Sequence, residues 1–429
     1  RCAASFFLEI RQYSCEKMSC ATQKSLAAGH IMSFQIHPRE KDGTNMANLS
    51  VDFAGVRFRN PLILASAAPG HDGQALRIAG EHGIGGVIPK TIGSFGEWVQ
   101  HPRNGRMYVY RVGGKPVGMM DLELFTTKPI EDWLERDMAC AKAGGAVMQC
   151  SILAFPNPSE TAELAKKLQT TGMIDLFEIN VSCPMPAKDV GQNIGTNAEK
   201  VAEQVRAVKA VANCPVVIKL TPNVTDIVAI GRAAQEAGAD GITIGNSLKG
   251  FAGIDIETGK PYQRAYCGYG GPGVKPVIMR MVTELARALD IPISAAGGVS
   301  SYRDLVEYVM AGATTVQFAT AVLWNGYEII DKILSDLNAW MDEKGYGSLD
   351  EFRGCTLKYI TTTEELARED PLHAAIDKKL CVGCGKCQKV CMYRAVSKDG
   401  EQYRVDAALC DGCSMCTQFC AKQAITLVR

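Results

Sequence analysis

Two runs near the end of the chain carry side chains with obvious chemistry: CVGCGKCQKVC at 381–391 and CDGCSMCTQFC at 410–420. Cys381, Cys384, Cys387 and Cys391 share the spacing C-x2-C-x2-C-x3-C with Cys410, Cys413, Cys416 and Cys420. Thiolates at that spacing wrap a [4Fe–4S] cubane corner by corner, and the last cysteine of each run crosses to the other cluster. The expected sets are therefore Cys381, Cys384 and Cys387 with Cys420, and Cys410, Cys413 and Cys416 with Cys391. Met392 and Ala421 stand where a proline usually follows the fourth cysteine. A disulfide framework belongs to small secreted domains. Zinc takes paired C-x2-C runs set wider apart. Two clusters fit the spacing best, so the rest of the chain must exchange electrons with them.

The second group of reactive residues is scattered, and only a fold brings it together. Short apolar runs recur from residue 62 onward, each followed by an amphipathic stretch such as TDIVAIGRAAQEAGAD. The pattern predicts strands at Leu62–Ser66, Gly86–Lys90, Ala146–Ile152, Leu176–Asn180, Val216–Lys219, Gly241–Gly245, Ile291–Ala295 and Thr315–Ala319. Eight such units over about 280 residues predict a (β/α)8 TIM barrel, an α/β fold with its site at the C-terminal ends of the strands. A doubly wound sheet is the alternative, but no G-x-G-x-x-G follows the first strand. LSVDFAGVRF at 49–58 reads as a preceding hairpin.

The strand ends gather polar and small residues on one rim: Ala65-Ser66, Lys90, Asn180-Val181-Ser182-Cys183-Pro184, Lys219, Asn246-Ser247, Gly297-Gly298 and Ala319-Thr320. Asn223, Ser247 and Thr320 would each serve equally as helix caps. Gly-Gly at 297–298 and the turn at 317–321 follow strands seven and eight, where such barrels place a phosphate against free backbone N–H groups. Gly271-Pro272-Gly273 adds a second glycine loop, and Lys275 beside it reads as a solvated lysine. A phosphate cradle joined to iron–sulfur clusters calls for a cofactor that handles one electron from a cluster and two at a substrate. FMN does both and carries one phosphate.

The 429 residues fit one large domain and one small one. Formal charge is zero, which gives no reason to expect nucleic acid or an anionic membrane as partner. No apolar run reaches the ~20 residues of a membrane span. Eight of 17 cysteines lie in the two runs and the others follow no pattern, as expected of a reducing cytoplasm. Residues 1–45 lack periodicity and a signal-peptide core; they are expected to be an appended, poorly ordered leader, with Met46 the start. The expected domains are 1–45, a barrel at 46–350, a charged linker with helical pieces at 351–375, and a small two-cluster, ferredoxin-like domain at 376–429.

NVSCP at 180–184, IKLTPNVTDI at 218–227, GNS at 245–247, AAGG at 295–298 and the paired cysteine runs resemble the dihydropyrimidine dehydrogenase family. The likeness covers Met46 to the C-terminus and is nearest to the bacterial-type subunit that holds FMN and the clusters. Dihydroorotate dehydrogenase shares the barrel. The resemblance implies that Lys90, Lys219, Ala65, Ser66, Gly298, Ala319 and Thr320 contact FMN; the glycine loops read above add Gly271, Gly273 and Gly297 to the expected cofactor cradle. It implies that Asn180, Ser182, Asn246 and Ser247 hold the substrate ring and that Cys183 is the catalytic cysteine. Reducing an electron-poor C=C bond needs a hydride at one carbon and a proton at its neighbour, and a thiol is able to supply the proton. GMMDLELF offers Asp121 where the family has an asparagine, and MPAKDVG after Cys183 lacks the animal enzyme's histidine. An ionised Asp121 accepts but does not donate, which favours a neutral cyclic amide over a carboxylated ring. The expected activity is reduction of uracil or thymine at the 5,6 bond. Electrons would come from NAD(P)H through a partner flavoprotein with FAD and iron–sulfur groups, in a hetero-oligomer or a homodimer. Dihydroorotate oxidation, reduction of another cyclic amide or enone, and an electron-transfer subunit without turnover are the alternatives.

Overall fold

The computed structural model describes residues 47–93, 102, 105–184 and 190–429. The expected leader and part of the loop after Cys183 lie outside these residues. Two compact units divide between Leu357 and Lys358.

The first unit opens with β1 (Val51–Phe53) and β2 (Val56–Phe58), the predicted antiparallel hairpin, turned by Ala54 and Gly55 at positive φ. The strands β3 (Leu62–Leu64) and β4 (Gly86–Val87) begin the barrel. Next come β5 (Met107–Val112) and β6 (Lys115–Asp121), which lie outside it. The barrel resumes with β7 (Val147–Leu153), β8 (Leu176–Asn180), β9 (Val216–Leu220) and β10 (Gly241–Ile244). After β11 (Leu248–Gly250) and β12 (Cys267–Gly270), the barrel ends with β13 (Ile293–Ala296) and β14 (Thr315–Phe318). Its order is β10-β13-β14-β3-β4-β7-β8-β9, closed, with every pair parallel. All eight predicted barrel strands are present, with ends shifted by a few residues.

The helices that close each unit follow from local sequence. The stretch singled out above forms the helix Ile227–Glu236: the Asp226 side chain caps it by accepting from Ala229 N–H. Ile227, Ile230, Gly231 and Ala234 are buried at helical spacing, so one stripe faces the strands. Gly238, at positive φ, ends it. The strands are buried on both faces; all five residues of β9 are buried, as parallel barrel strands require. Beyond the terminal helix Ile329–Lys344 the chain keeps packing on the barrel, with Phe352 set among Trp340 and Tyr346. No helix among the described residues is long and apolar enough to cross a membrane.

The side sheet, in the order β11-β12-β6-β5, was not expected from the sequence. Gly268 to Gly273 on it spells G-x-G-x-x-G, but β12 is antiparallel to both neighbours. That context is not the parallel strand–helix turn that binds a dinucleotide.

The second unit repeats itself. The strands β15 (His373–Ile376) and β18 (Ile425–Val428) pair antiparallel, as do β16 (Val396–Asp399) and β17 (Gln402–Val405). Its short helices Lys386–Val390 and Met415–Phe419 each follow a left-handed residue, Gly385 or Ser414, and each ends on a cysteine, Cys391 or Cys420.

Candidate active site

The C-terminal ends of the barrel strands open into a cavity of about 1090 Å³, counting the space at its mouth. With its mouth included, that slightly exceeds the usual range of about 300–1,000 Å³ for small-molecule sites. Ala65, Ser66, Lys90, Asp121, Asn180, Cys183, Lys219, Asn246, Ser247, Gly271, Gly297, Gly298, Ala319 and Thr320 all line it. Two expected residues do not. A Cβ on Gly273 would meet Tyr269 Oη, so this glycine serves the packing of the side sheet. Ser182 is fully buried behind the wall.

Ser182 instead links the two asparagines. Its N–H and Oγ–H donate to Asn180 Oδ1 at 2.9 and 2.8 Å, and its Oγ accepts from Asn246 Nδ2 at 2.8 Å. Asn180 Nδ2 donates to Thr91 Oγ1 at 2.8 Å, which lies 3.0 Å from Ser66 Oγ and 3.1 Å from Ser151 Oγ. The chain of partners fixes both amide orientations. Asn246 Oδ1 accepts from Ser247 N–H. Cys183 is buried at the cavity wall, and its carbonyl accepts from Gln192 N–H at 3.0 Å. Gly191 at positive φ approaches it closely, since a Cβ there would stand 3.0 Å from Cys183 Cβ.

The cavity is suited to a phosphate at one end. Gly271 and Gly298 both have positive φ, and a Cβ at Gly298 would lie 2.7 Å from Lys275 Cβ and 3.2 Å from Gly271 O. Only glycine leaves the backbone open there. The helix Thr320–Asn325 starts at this wall without a side-chain cap. Lys275 is not a solvated lysine as expected: it pairs with Asp304 and with Glu307 at 2.7 Å.

Charge at the other end is balanced. Lys90 Nζ contacts Glu123 Oε2 at 2.8 Å, and Arg106 Nε contacts Glu123 Oε1 at 3.0 Å. Asp121 Oδ1 accepts from Glu123 N–H at 2.6 Å. Burial pushes the Asp121 carboxyl up to about 6, against the pull of the Lys90 ammonium. The sequence reading missed Glu123 and Thr91, and took Gln317 only as the start of a phosphate-binding turn. Glu123 had a signal, since it stands two residues from Asp121 in an extended stretch and so shares its face.

In the second unit, Cys381, Cys384, Cys387 and Cys420 line one cavity of about 630 Å³. Cys391, Cys410, Cys413 and Cys416 line another of about 350 Å³. Both volumes count the open mouths. Ala374 N–H points at Cys410 Sγ and Ala424 N–H at Cys420 Sγ, each at 3.3 Å. Among the described residues no three His, Cys, Asp or Glu side chains converge closely enough to hold a single metal ion.

The sequence profile of the dihydroorotate dehydrogenase family matches residues 48–341. The catalytic subunit of dihydroorotate dehydrogenase B (NAD(+)) from Pyrococcus abyssi is 40% identical over 311 residues, 72% of this chain and 99% of that protein. The NAD-dependent dihydropyrimidine dehydrogenase subunit PreA of Escherichia coli is 31% identical over 353 residues, 80% of this chain and 85% of that protein. Caldicellulosiruptor saccharolyticus contributes another dihydroorotate dehydrogenase B catalytic subunit, 34% identical over 310 residues, 72% of this chain and 98% of that protein.

Proposed function

Because this chain belongs to the dihydroorotate dehydrogenase family, FMN-binding oxidoreductases acting on CH–CH groups, we propose that it reduces the 5,6 double bond of uracil or thymine. The charge balance of the cavity carries the choice of a neutral ring. Its charged lining residues are Lys90, Lys219, Asp121 and Glu123. Glu123 already pairs with Lys90 and Arg106, and Asp121 adds a second acid beside them at the cavity wall. A carboxylated ring brought against these acids would meet like charge in a poorly solvated place, costing several kcal/mol.

When bound, FMN supplies the hydride equivalent and also handles single electrons. Gly271, Gly297, Gly298, Ala319 and Thr320 would hold its phosphate end, and Ala65, Ser66, Lys90 and Lys219 its ring and ribityl chain. The glycine cradle and the uncapped helix start support that fit. Asn180 and Asn246, locked by Ser182, orient the pyrimidine together with Ser247, while Asp121 accepts from a ring N–H. Cys183 Sγ would give its proton to the carbon next to the one that takes the hydride, and the thiolate left behind would regain a proton from solvent. In the second unit, a ferredoxin-like domain, each cysteine-lined cavity would hold a [4Fe–4S] cluster. Four cysteines line each cavity, three from one run and one from the other, the shared-ligand pattern of a two-cluster ferredoxin. Electrons would reach the clusters from NAD(P)H through a partner flavoprotein, as the subunit names of the relatives suggest.

Oxidation of dihydroorotate is the second reading, favoured by the higher identity to the Pyrococcus subunit. The test is anaerobic photoreduction of the FMN-loaded protein followed by mixing with uracil, thymine or orotate. Rapid flavin reoxidation by uracil or thymine and slow reoxidation by orotate is the expected result; the reverse order establishes the second reading. Cys183→Ala should retain FMN and slow reoxidation ~10²–10⁴-fold, the usual contribution of a proton donor.

A further inference from the structure

Beneath the cavity floor lies a carboxylate that the proposed reaction does not use. Glu178, at the middle of β8, is fully buried and does not line the cavity. Its Oε2 accepts from Gln149 Nε2 at 2.8 Å, Thr243 Oγ1 at 2.8 Å and Gln317 Nε2 at 3.0 Å. These donors come from β7, β10 and β14, across the barrel interior. Among the described residues its Oε1 has no hydrogen-bond partner, and it stands 3.7 Å from Lys219 Nζ. Lys219, equally buried, donates to Gln317 Oε1 at 3.2 Å. Both Lys219 and Gln317 line the cavity.

The arrangement has a logic. Three donors converge on one carboxylate oxygen and satisfy its lone pairs. They also turn the Gln317 amide so that its NH₂ faces Glu178 and its oxygen faces Lys219. One acid therefore compensates the ammonium and orients the amide that holds it. A buried acid left without such a partner would cost several kcal/mol.

We propose that Glu178 is a positioning residue that, with Gln317, holds Lys219 as a compensated charge at the cavity floor and thereby sets the electron affinity of the flavin bound above. The inference rests on the reading that this cavity holds FMN. Glu178→Gln keeps the size and removes the negative charge, leaving the ammonium uncompensated. A positive charge near the ring favours the reduced, more negative flavin. Lys219→Met leaves the carboxylate uncompensated and acts the other way.

The experiment is a redox titration of the full-length FMN-loaded protein without substrate, followed at the flavin absorption. Glu178→Gln should raise the reduced-to-oxidised ratio at a fixed solution potential at least tenfold, about 30 mV for a two-electron couple. Lys219→Met should lower it at least tenfold, and the double variant should return toward the parent. A lowered melting temperature with the flavin potential unchanged, or shifts of the same sign in both single variants, overturns the proposal. Should Glu178→Gln fail to fold, an unchanged potential in Lys219→Met overturns it equally. Purified parent protein that binds no FMN would instead sink the functional reading itself.

Discussion

Asp121 is where burial and charge contend most openly. Its carboxyl sits near 6, so it changes charge within the working range of most assays. Above that value it is a carboxylate, able to accept a ring N–H and to repel an anionic ligand; below it the group is neutral. Orotate, whose own carboxylate stays ionised throughout, should therefore bind weakly at pH 8 and more tightly as pH falls through about 6. Asp121→Asn should flatten that dependence in a titration of flavin absorbance against orotate. It should also tighten uracil by about 1 kcal/mol, one recovered hydrogen bond. An equally steep pH dependence in the asparagine variant would show that Asp121 does not face the ligand. Stability follows from the same shift. An acid whose folded value lies above its unfolded one takes up a proton on folding, so stability falls as pH rises from about 4 to 6 and stays lower above. Asp121→Asn should thus be more stable to unfolding than the parent at pH 8, by on the order of 1–3 kcal/mol, and no more stable below pH 4.

At the scale of elements, the proposed phosphate site depends on the loops after β13 and β14. Gly298→Ala forces a Cβ to within 2.7 Å of Lys275 Cβ at a φ of +78°. The left-handed conformation alone costs about 1 kcal/mol. FMN affinity of the apoprotein, read by fluorescence quenching, should fall tenfold or more; unchanged affinity would place the phosphate elsewhere. The barrel strands were legible because strands buried on both faces read as short apolar runs, and because polar residues such as Lys90, Asn180 and Lys219 mark their C-terminal ends. The side sheet was less so. MYVYRV and KPVGMMD flank Gly113-Gly114, both at positive φ, a hairpin signal that was present but passed over. Its second half was out of reach, since Asp121 pairs with Gly268 far along the chain. No local pattern announces that pairing, yet it is what sets Asp121 and Glu123 at the cavity. Glu178 escaped notice for a related reason: a lone acid in an apolar strand acquires meaning only when four other strands surround it.

For the whole molecule, the cysteine sets yield a sharp prediction. The reconstituted protein should carry about eight irons. Cys420→Ser should disturb the same paramagnetic signal as Cys381→Ser, and not the one disturbed by Cys410→Ser, because Cys420 lines the cavity of the first run. Zinc in place of iron, or a signal shared with Cys410→Ser, would refute the assignment. Each cavity thus borrows its fourth wall from the other run, since Cys391 completes the second cavity as Cys420 completes the first. The hydrophobic centre of this unit is correspondingly thin, with Cys387 and Cys416 themselves among its few buried residues. Such an interlock has a bearing on supply. A chain that has received one cubane still lacks a settled fold around the other, so half-filled molecules should be scarce, and a cell short of iron should hold fewer complete copies of the protein rather than many partial ones.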